Sequence, residues 1–253
     1  MQIQNNRRGR ITKTCRYSVK GVQGKELLYL DIKEGVGVVG DRRYAVRAKG
    51  RPSEEWKPKT FFRVSMTDEI MARQVPRFIG EDLDPEWVRE LGIELGDEEL
   101  TVLDTGGRYN MVDTNPLKYG PTVSFLNMAT VRDMERRTGW IIDPRRFRMN
   151  AWFDNDDPWS EIAWANDFPG TKEFVAGDVQ YCIQDACERC EAINANPSTG
   201  ERDLDLLTAI ETALHDIGYA GSPHRKTFNV MGFLATPLMS GRLFPGQEIV
   251  IPQ

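Results

Sequence analysis

Three of the four cysteines fall in the nine-residue stretch C-I-Q-D-A-C-E-R-C, from Cys182 to Cys190. Cys187 and Cys190 form a C-x-x-C pair, with Arg189 beside the second sulfur in sequence. A neighbouring guanidinium favours the thiolate, the form that attacks electrophiles and binds soft metals. Cys190 is therefore the expected chemical centre. Two plainer arrangements compete with it. A C-x-x-C can be half of a zinc site, with Cys182, His215 and His224 the residues at hand to complete it. The thiols can also be inert and packed as small hydrophobes.

The remaining chemistry-bearing residues are arginines. Arg42-Arg43 and Arg145-Arg146-Phe147-Arg148 stand out in a chain whose net charge is -5. That charge gives no global attraction to nucleic acid. Local arginine forks in an acidic protein instead suit a small phosphorylated ligand. With 253 residues, 40% of them hydrophobic, the chain can bury a substantial core as one large domain or two small ones. Its apolar runs are too short to span a bilayer, and the start M-Q-I-Q-N-N-R-R-G-R carries no apolar leader, so a cytoplasmic protein with no membrane partner is expected. Clustered rather than evenly spread cysteines point to reduced thiols.

The elements that must position these residues read mostly as strands. Leu27–Leu30, Val36–Gly40 and Tyr44–Val46 are short apolar runs cut by glycine, which predicts a β-rich unit closing on itself. Residues 51–60 read as an exposed loop, and Phe61-Phe62-Arg63-Val64 as extended chain. Asp84-Pro85 opens a short helix that Gly92 is expected to end. A loose boundary is expected near Thr105 to Asn115, dividing the chain into 1–110 and 111–253. Thr122–Leu126 reads as a strand leading to Asn127, the cap of a helix that Gly139 stops. Ala151–Phe153 is a strand, and Trp159 and Trp164 fall in an acidic loop. Phe174-Val175 and Val179–Cys182 are strands delivering the cysteines. Leu204, Leu207, Ile210, Leu214 and Ile217 recur at helical spacing before Gly218, with His215 on the polar side. Phe233-Leu234 and Glu248–Ile251 look like a final hairpin.

In order along the chain, five segments resemble the MOSC domain family, named for the C-terminal domain of molybdenum cofactor sulfurase. Arg16-Tyr17-Ser18-Val19-Lys20-Gly21 resembles its Y-P-V-K-S, and Gly40-Asp41-Arg42-Arg43 its G-D-R. Arg146-Phe147-Arg148-Met149-Asn150 resembles R-F-R-P-N, C-E-R-C follows, and Asn196-Pro197-Ser198-Thr199-Gly200 is similar to D-P-x-T-G. The resemblance extends to the branch of the mitochondrial amidoxime reducing component and its bacterial relatives. It implies a predominantly β fold with peripheral helices: a β-barrel in the second half and a smaller N-terminal β unit. It also implies the molybdenum cofactor (molybdopterin) as the bound group. Cys190 would be the ligand to molybdenum, with Cys187 a neighbour. Lys20, Arg42, Arg148, Asn150, Glu188 and Arg189 would contact the pterin and its phosphate, and Asn127 and Thr130 would lie at a helix start near it. Three positions and one segment depart from the pattern: Gly21 for serine, Met149 for proline, Asn196 for aspartate, and Phe228-Asn229-Val230-Met231 for F-G-x-Y.

The expected activity is reduction of N-hydroxylated or related N-oxygenated small molecules. The chain carries no flavin, haem or iron–sulfur motif, so electrons would come from a separate protein. The alternatives are sulfur transfer through a persulfide on Cys190 or Cys187, with an external sulfur donor, and a non-catalytic cofactor-binding role.

Overall fold

The computed structural model describes residues 8–47, 62–65, 68–97, 99–106, 121–167, 172–221 and 228–251. The expected loop at 51–60 and the boundary at 110/111 lie outside them. The strands of the amino-terminal half are β1 (Arg8–Arg16), β2 (Lys25–Glu26), β3 (Leu30–Lys33), β4 (Gly37–Val38), β5 (Tyr44–Arg47), β6 (Phe78–Ile79), β7 (Asp82–Leu83) and β8 (Thr101–Asp104). With them come helices α1 (Glu69–Arg73) and α2 (Pro85–Leu95). The other half holds strands β9 (Val123–Asn127), β10 (Ala151–Asp154), β11 (Glu173–Ala176), β12 (Val179–Glu188), β13 (Val230–Pro237), β14 (Gly241–Leu243) and β15 (Glu248–Val250). Its helices are α3 (Met128–Thr138), α4 (Ser160–Asp167) and α5 (Leu206–Asp216).

Seven strands close into a mixed barrel in the order β10-β9-β13-β12-β11-β15-β1, with β1 pairing back to β10. The protein is predominantly β, as expected. Only β9 and β10 run parallel within the ring, and α3 is their crossover. Alternation along β12 sends Val179, Tyr181 and Ile183 inward, and after a register shift between Ile183 and Asp185 it is Ala186, opposite Phe233, that joins the core. Inside, Phe125 stacks on Phe233 at 5.0 Å and meets Phe174 edge-on at 5.4 Å, while Phe174 stacks on Tyr181 at 5.2 Å. Each such aromatic pair adds about 0.5–1.5 kcal/mol beyond its area burial. A smaller core joins Val19, Val22, Tyr44, Val46, Met71, Leu83, Trp87 and Leu91.

Several expectations are corrected. The amino-terminal strands do not close on themselves: β1 is a stave of the main barrel, β3 pairs with β14 and β4, and β5 pairs with β8. Leu27-Leu28-Tyr29 is a connection rather than a strand. Leu27 is held by Thr14, whose hydroxyl donates to its carbonyl at 2.6 Å, and Leu28 then swings out to 87% exposure. Gly92 does not end α2. It is buried inside the helix, and Gly96, at φ 64°, is the left-handed cap. Trp164 sits on α4 rather than in a loop, stacked on Phe153 at 5.8 Å. Ile217 caps α5 at 43% exposure, outside its buried stripe of Leu206, Ile210, Ala213 and Leu214. The final hairpin is also absent. β13 lies between β12 and β9, whereas β15 lies between β11 and β1, because β14 leaves the barrel in between to pair with β3.

Candidate functional site

β12 runs on into the C-E-R-C motif. Cys187 and Glu188 are its last residues, and Cys190 opens a 3-10 turn over Glu191–Asn194, its carbonyl accepting from the Ile193 N–H at 3.1 Å. Cys187 and Cys190 are half-buried and Glu188 is exposed. Between them Arg189 is held by Asn229: the Arg189 N–H donates to the Asn229 carbonyl at 2.7 Å, and Asn229 Nδ2 donates back at 2.8 Å.

The Arg189 side chain turns inward and is only 8% exposed. Its Nη2 donates to the Phe147 carbonyl at 2.5 Å, and its Nη1 reaches Met149 Sδ at 3.3 Å and Cys187 Sγ at 3.1 Å. The guanidinium therefore serves Cys187, not Cys190 as its place in sequence suggested. Among the described residues no carboxylate pairs with it, and its Nε is buried without a partner. A desolvated cation met by sulfur, a carbonyl and the face of the Phe147 ring at 5.7 Å, with no anion beside it among the described residues, retains an unfilled demand for negative charge.

Arg148 lies beside this group. It follows the 3-10 turn Pro144–Phe147 and takes the left-handed conformation at φ 53°. Arg42, also left-handed at φ 47°, donates through Nη2 to the Arg148 carbonyl at 2.9 Å and through Nη1 to Asp41. The fully buried Asp41 accepts in addition from the Tyr17 N–H at 2.7 Å. The Tyr17 ring has the guanidinium carbon of Arg42 at 5.2 Å and that of Arg148 at 4.9 Å, both within cation–π range. Burial pushes the Tyr17 hydroxyl up, which keeps the ring neutral. Lys20 is 5% exposed, with its ammonium 5.7 Å from the Phe62 ring.

The Asn196–Gly200 motif is tied to the same place. Arg146, 4% exposed, donates to the Asn194 carbonyl at 2.9 Å and to Asp203 at 2.6 Å, and Arg145 donates to Ser198 Oγ at 2.9 Å. A cavity of about 160 Å³ opens here, with Tyr17, Gln23, Gly24, Arg145, Arg148 and Ala195 among its walls. Gly24 makes room for Tyr17, since a Cβ on it would stand 2.5 Å from the ring.

Other expected site residues have different company. Asn150 Oδ1 accepts from Ser124 Oγ at 2.8 Å and its Nδ2 donates to the Cys15 carbonyl at 3.2 Å, which stitches β1, β9 and β10 together. Asn127 caps α3, accepting from the Ala129 N–H at 3.0 Å. Its Nδ2 donates to Asn155 Oδ1, the Asp157 carbonyl and Glu161 Oε2, each at 3.0 Å. Thr130 Oγ1 also donates to Glu161 Oε2 at 3.0 Å and accepts from the Trp159 N–H at 2.8 Å. Glu161 is fully buried, and burial pushes its carboxyl up to about 7 against these hydrogen bonds. Nothing in the sequence marked this acid, which occupies an ordinary first-turn position of α4.

The zinc alternative gains no support from the arrangement. Among the described residues no three of His, Cys, Asp and Glu are grouped as metal ligands. His215 is exposed and stacks on Phe228 at 4.5 Å, and His224 lies outside the described residues. Burial pushes the Cys182 thiol up, and the Cys15 thiol to about 12, so Cys15 behaves as a packed hydrophobe.

The departures from the family pattern have local causes. Gly21 has φ 84°, and a Cβ on it would come 2.6 Å from the Val64 Cα, so serine does not fit. Asn196 donates to Asp203 at 2.8 Å, a bond that aspartate would turn into repulsion. Met149 and Asn229 both bond Arg189. The donor set fits a molybdenum–pterin group: soft thiols at the edge, guanidinium forks behind them, and in Arg189 a buried cation with unfilled capacity.

No family model matches the chain. Over 128 residues it is 30% identical to the molybdenum cofactor sulfurase of Drosophila ananassae, and 29% identical to that of Drosophila melanogaster. The match covers 49% of this chain and 15% of either relative, so the chain spans a small part of their length. Among solved structures, the YuaD protein from Bacillus subtilis superposes over 96% of this chain and 95% of its own, with 10% identity and a TM-score of 0.45. Over about half of its length, then, the chain is similar to molybdenum cofactor sulfurases, the proteins whose C-terminal domain its five ordered motifs resemble.

Proposed function

We propose that this protein binds the molybdenum cofactor through the Cys190 thiolate and reduces N-hydroxylated or other N-oxygenated small molecules, drawing electrons from a separate redox protein. The carrying observation is the hydrogen-bonded chain that joins the motifs of both halves. Asp41 fixes Arg42, Arg42 donates to the Arg148 carbonyl, and Arg189 holds Phe147 and Met149 on either side of Arg148. Arg42, Arg148 and Lys20 would hold the anionic end of the cofactor, with Tyr17 keeping the first two apart. Cys190 offers the soft ligand from the start of a turn, where its backbone is already anchored. When bound, the cofactor supplies a two-electron centre able to take oxygen from nitrogen. The chain's own part is to orient that group, balance its charge and leave its open side to substrate. All four cysteines are free thiols, and no helix among the described residues is long and apolar enough to cross a membrane. Both fit work in a reducing cytoplasm.

Elemental analysis of protein made in a cofactor-competent host tests the reading. Near-stoichiometric molybdenum is expected in the parent protein and in Cys187→Ala, with almost none in Cys190→Ala. Molybdenum retained by Cys190→Ala sinks the assignment. A second reading, sulfur handling, is favoured by the Arg189 contact to Cys187 and by relatives named as sulfurases. It predicts instead a persulfide on Cys187, detectable as a mass increase and lost in Cys187→Ala.

A further inference from the structure

A second cleft, of about 340 Å³, lies where Arg16 meets the β2–β3 connection and β4. Arg16 adjoins Tyr17 in extended chain, so alternation sends the two side chains to opposite faces. The cleft is thus separate from the one beside Arg148. Its walls are Leu27, Leu28, Leu30, Val38 and Val39. Leu28 is 87% and Val39 43% exposed, so the lips are apolar and open to water.

Arg16 is half-buried; its side chain has no hydrogen bond or ion pair among the described residues, and its Nε is buried without a partner. The one acid of the lining, Asp31, is bound to Arg242 at 2.9 Å. A partly desolvated guanidinium facing apolar walls, with the local carboxylate already engaged, is complementary to an anion that carries its own apolar body.

We propose that this cleft binds a small amphipathic carboxylate, its head on Arg16 and its aliphatic tail against Leu28 and Val39. One planar fork matches one carboxylate, and a single cation beside Asp31 favours a monoanion over a phosphate dianion. The site needs neither cysteine nor metal, so it stands apart from the proposed reductase activity.

Calorimetric titration of the full chain with octanoate tests it, with octanol as the neutral control. Saturable one-to-one binding of octanoate is expected, and octanol should bind at least about tenfold more weakly, the scale of a charge-assisted hydrogen bond. Arg16→Met should weaken octanoate by a similar factor and leave octanol unchanged. Leu28→Asp, at a position too exposed to disturb folding, should also weaken octanoate while the melting temperature stays put. No saturable binding, equal binding of octanol, or full binding by Arg16→Met would each overturn the proposal.

Discussion

Arg189 and Glu161 set the same problem at two places on the barrel, and the protein treats them differently. Each is a buried ionisable side chain with one polar atom lacking a hydrogen bond: Nε of Arg189 and Oε1 of Glu161. Glu161, wrapped by Asn127 and Thr130, can shed its charge by taking a proton, and burial pushes it up to about 7. A guanidinium has no such escape. Arg189 must have its charge balanced from outside its own side chain, and the ionisable group it touches is the Cys187 sulfur, at 3.1 Å. A carboxyl that neutralises itself belongs to architecture; a cation that cannot is where a ligand is wanted.

Arg189→Met should break this contrast most sharply. Molybdenum per chain is expected to fall about tenfold or more, while the metal-free protein melts no lower, because an unpaired buried charge contributes little to stability. Undiminished metal would place Arg189 with the structural groups. Asn127→Ala should do the reverse. It removes a helix cap worth about 1 kcal/mol and leaves buried partners unsatisfied at about 1–3 kcal/mol each, so a loss of roughly 4 kcal/mol is expected in denaturant unfolding. Molybdenum per folded chain should hold steady; a drop in metal with stability intact would return Asn127 to the cofactor.

The smallest effect concerns pH. The folded carboxyl of Glu161 sits above its ordinary value of 4.5, so the folded state binds the extra proton. Its contribution is full below about pH 4.5 and is lost as pH rises through about 7. The shift corresponds to roughly 3 kcal/mol as an upper figure. Unfolding free energies of the parent protein and Glu161→Gln, compared between pH 5 and 8, should diverge, with the parent falling and the glutamine variant flat over that term. Parallel curves would show that Glu161 is ionised in the fold.

What could be read in advance follows from locality. Asn127 and Gly139 bracket α3 as expected, because a cap bonds within its own turn and a left-handed stop is a glycine's task. Gly92 misled because α2 has a second glycine, and only the burial of the first decides between them. The five motifs were legible as segments, but their junction through Arg42 and Arg189 depends on folding distant chain together. Sequence adjacency points Arg189 to Cys190, and the strand expected from the apolar pattern stops at Cys182. β12 instead runs on to Glu188 with a register shift between Ala186 and Glu188, and the Arg189 guanidinium donates to Cys187. Barrel pairing was the least visible, since β13 and β15 are near in sequence yet bond different neighbours.

The position of β1 in the ring bears on how the protein is made. It bonds β15 on one side and β10 on the other, so its pairing is complete only once Glu248–Val250 has emerged. Such long-range pairing slows folding and leaves strand edges open to other chains meanwhile. Until then β1 stays unpaired on its β15 side, and a chain stalled before residue 248 leaves the barrel with a gap there.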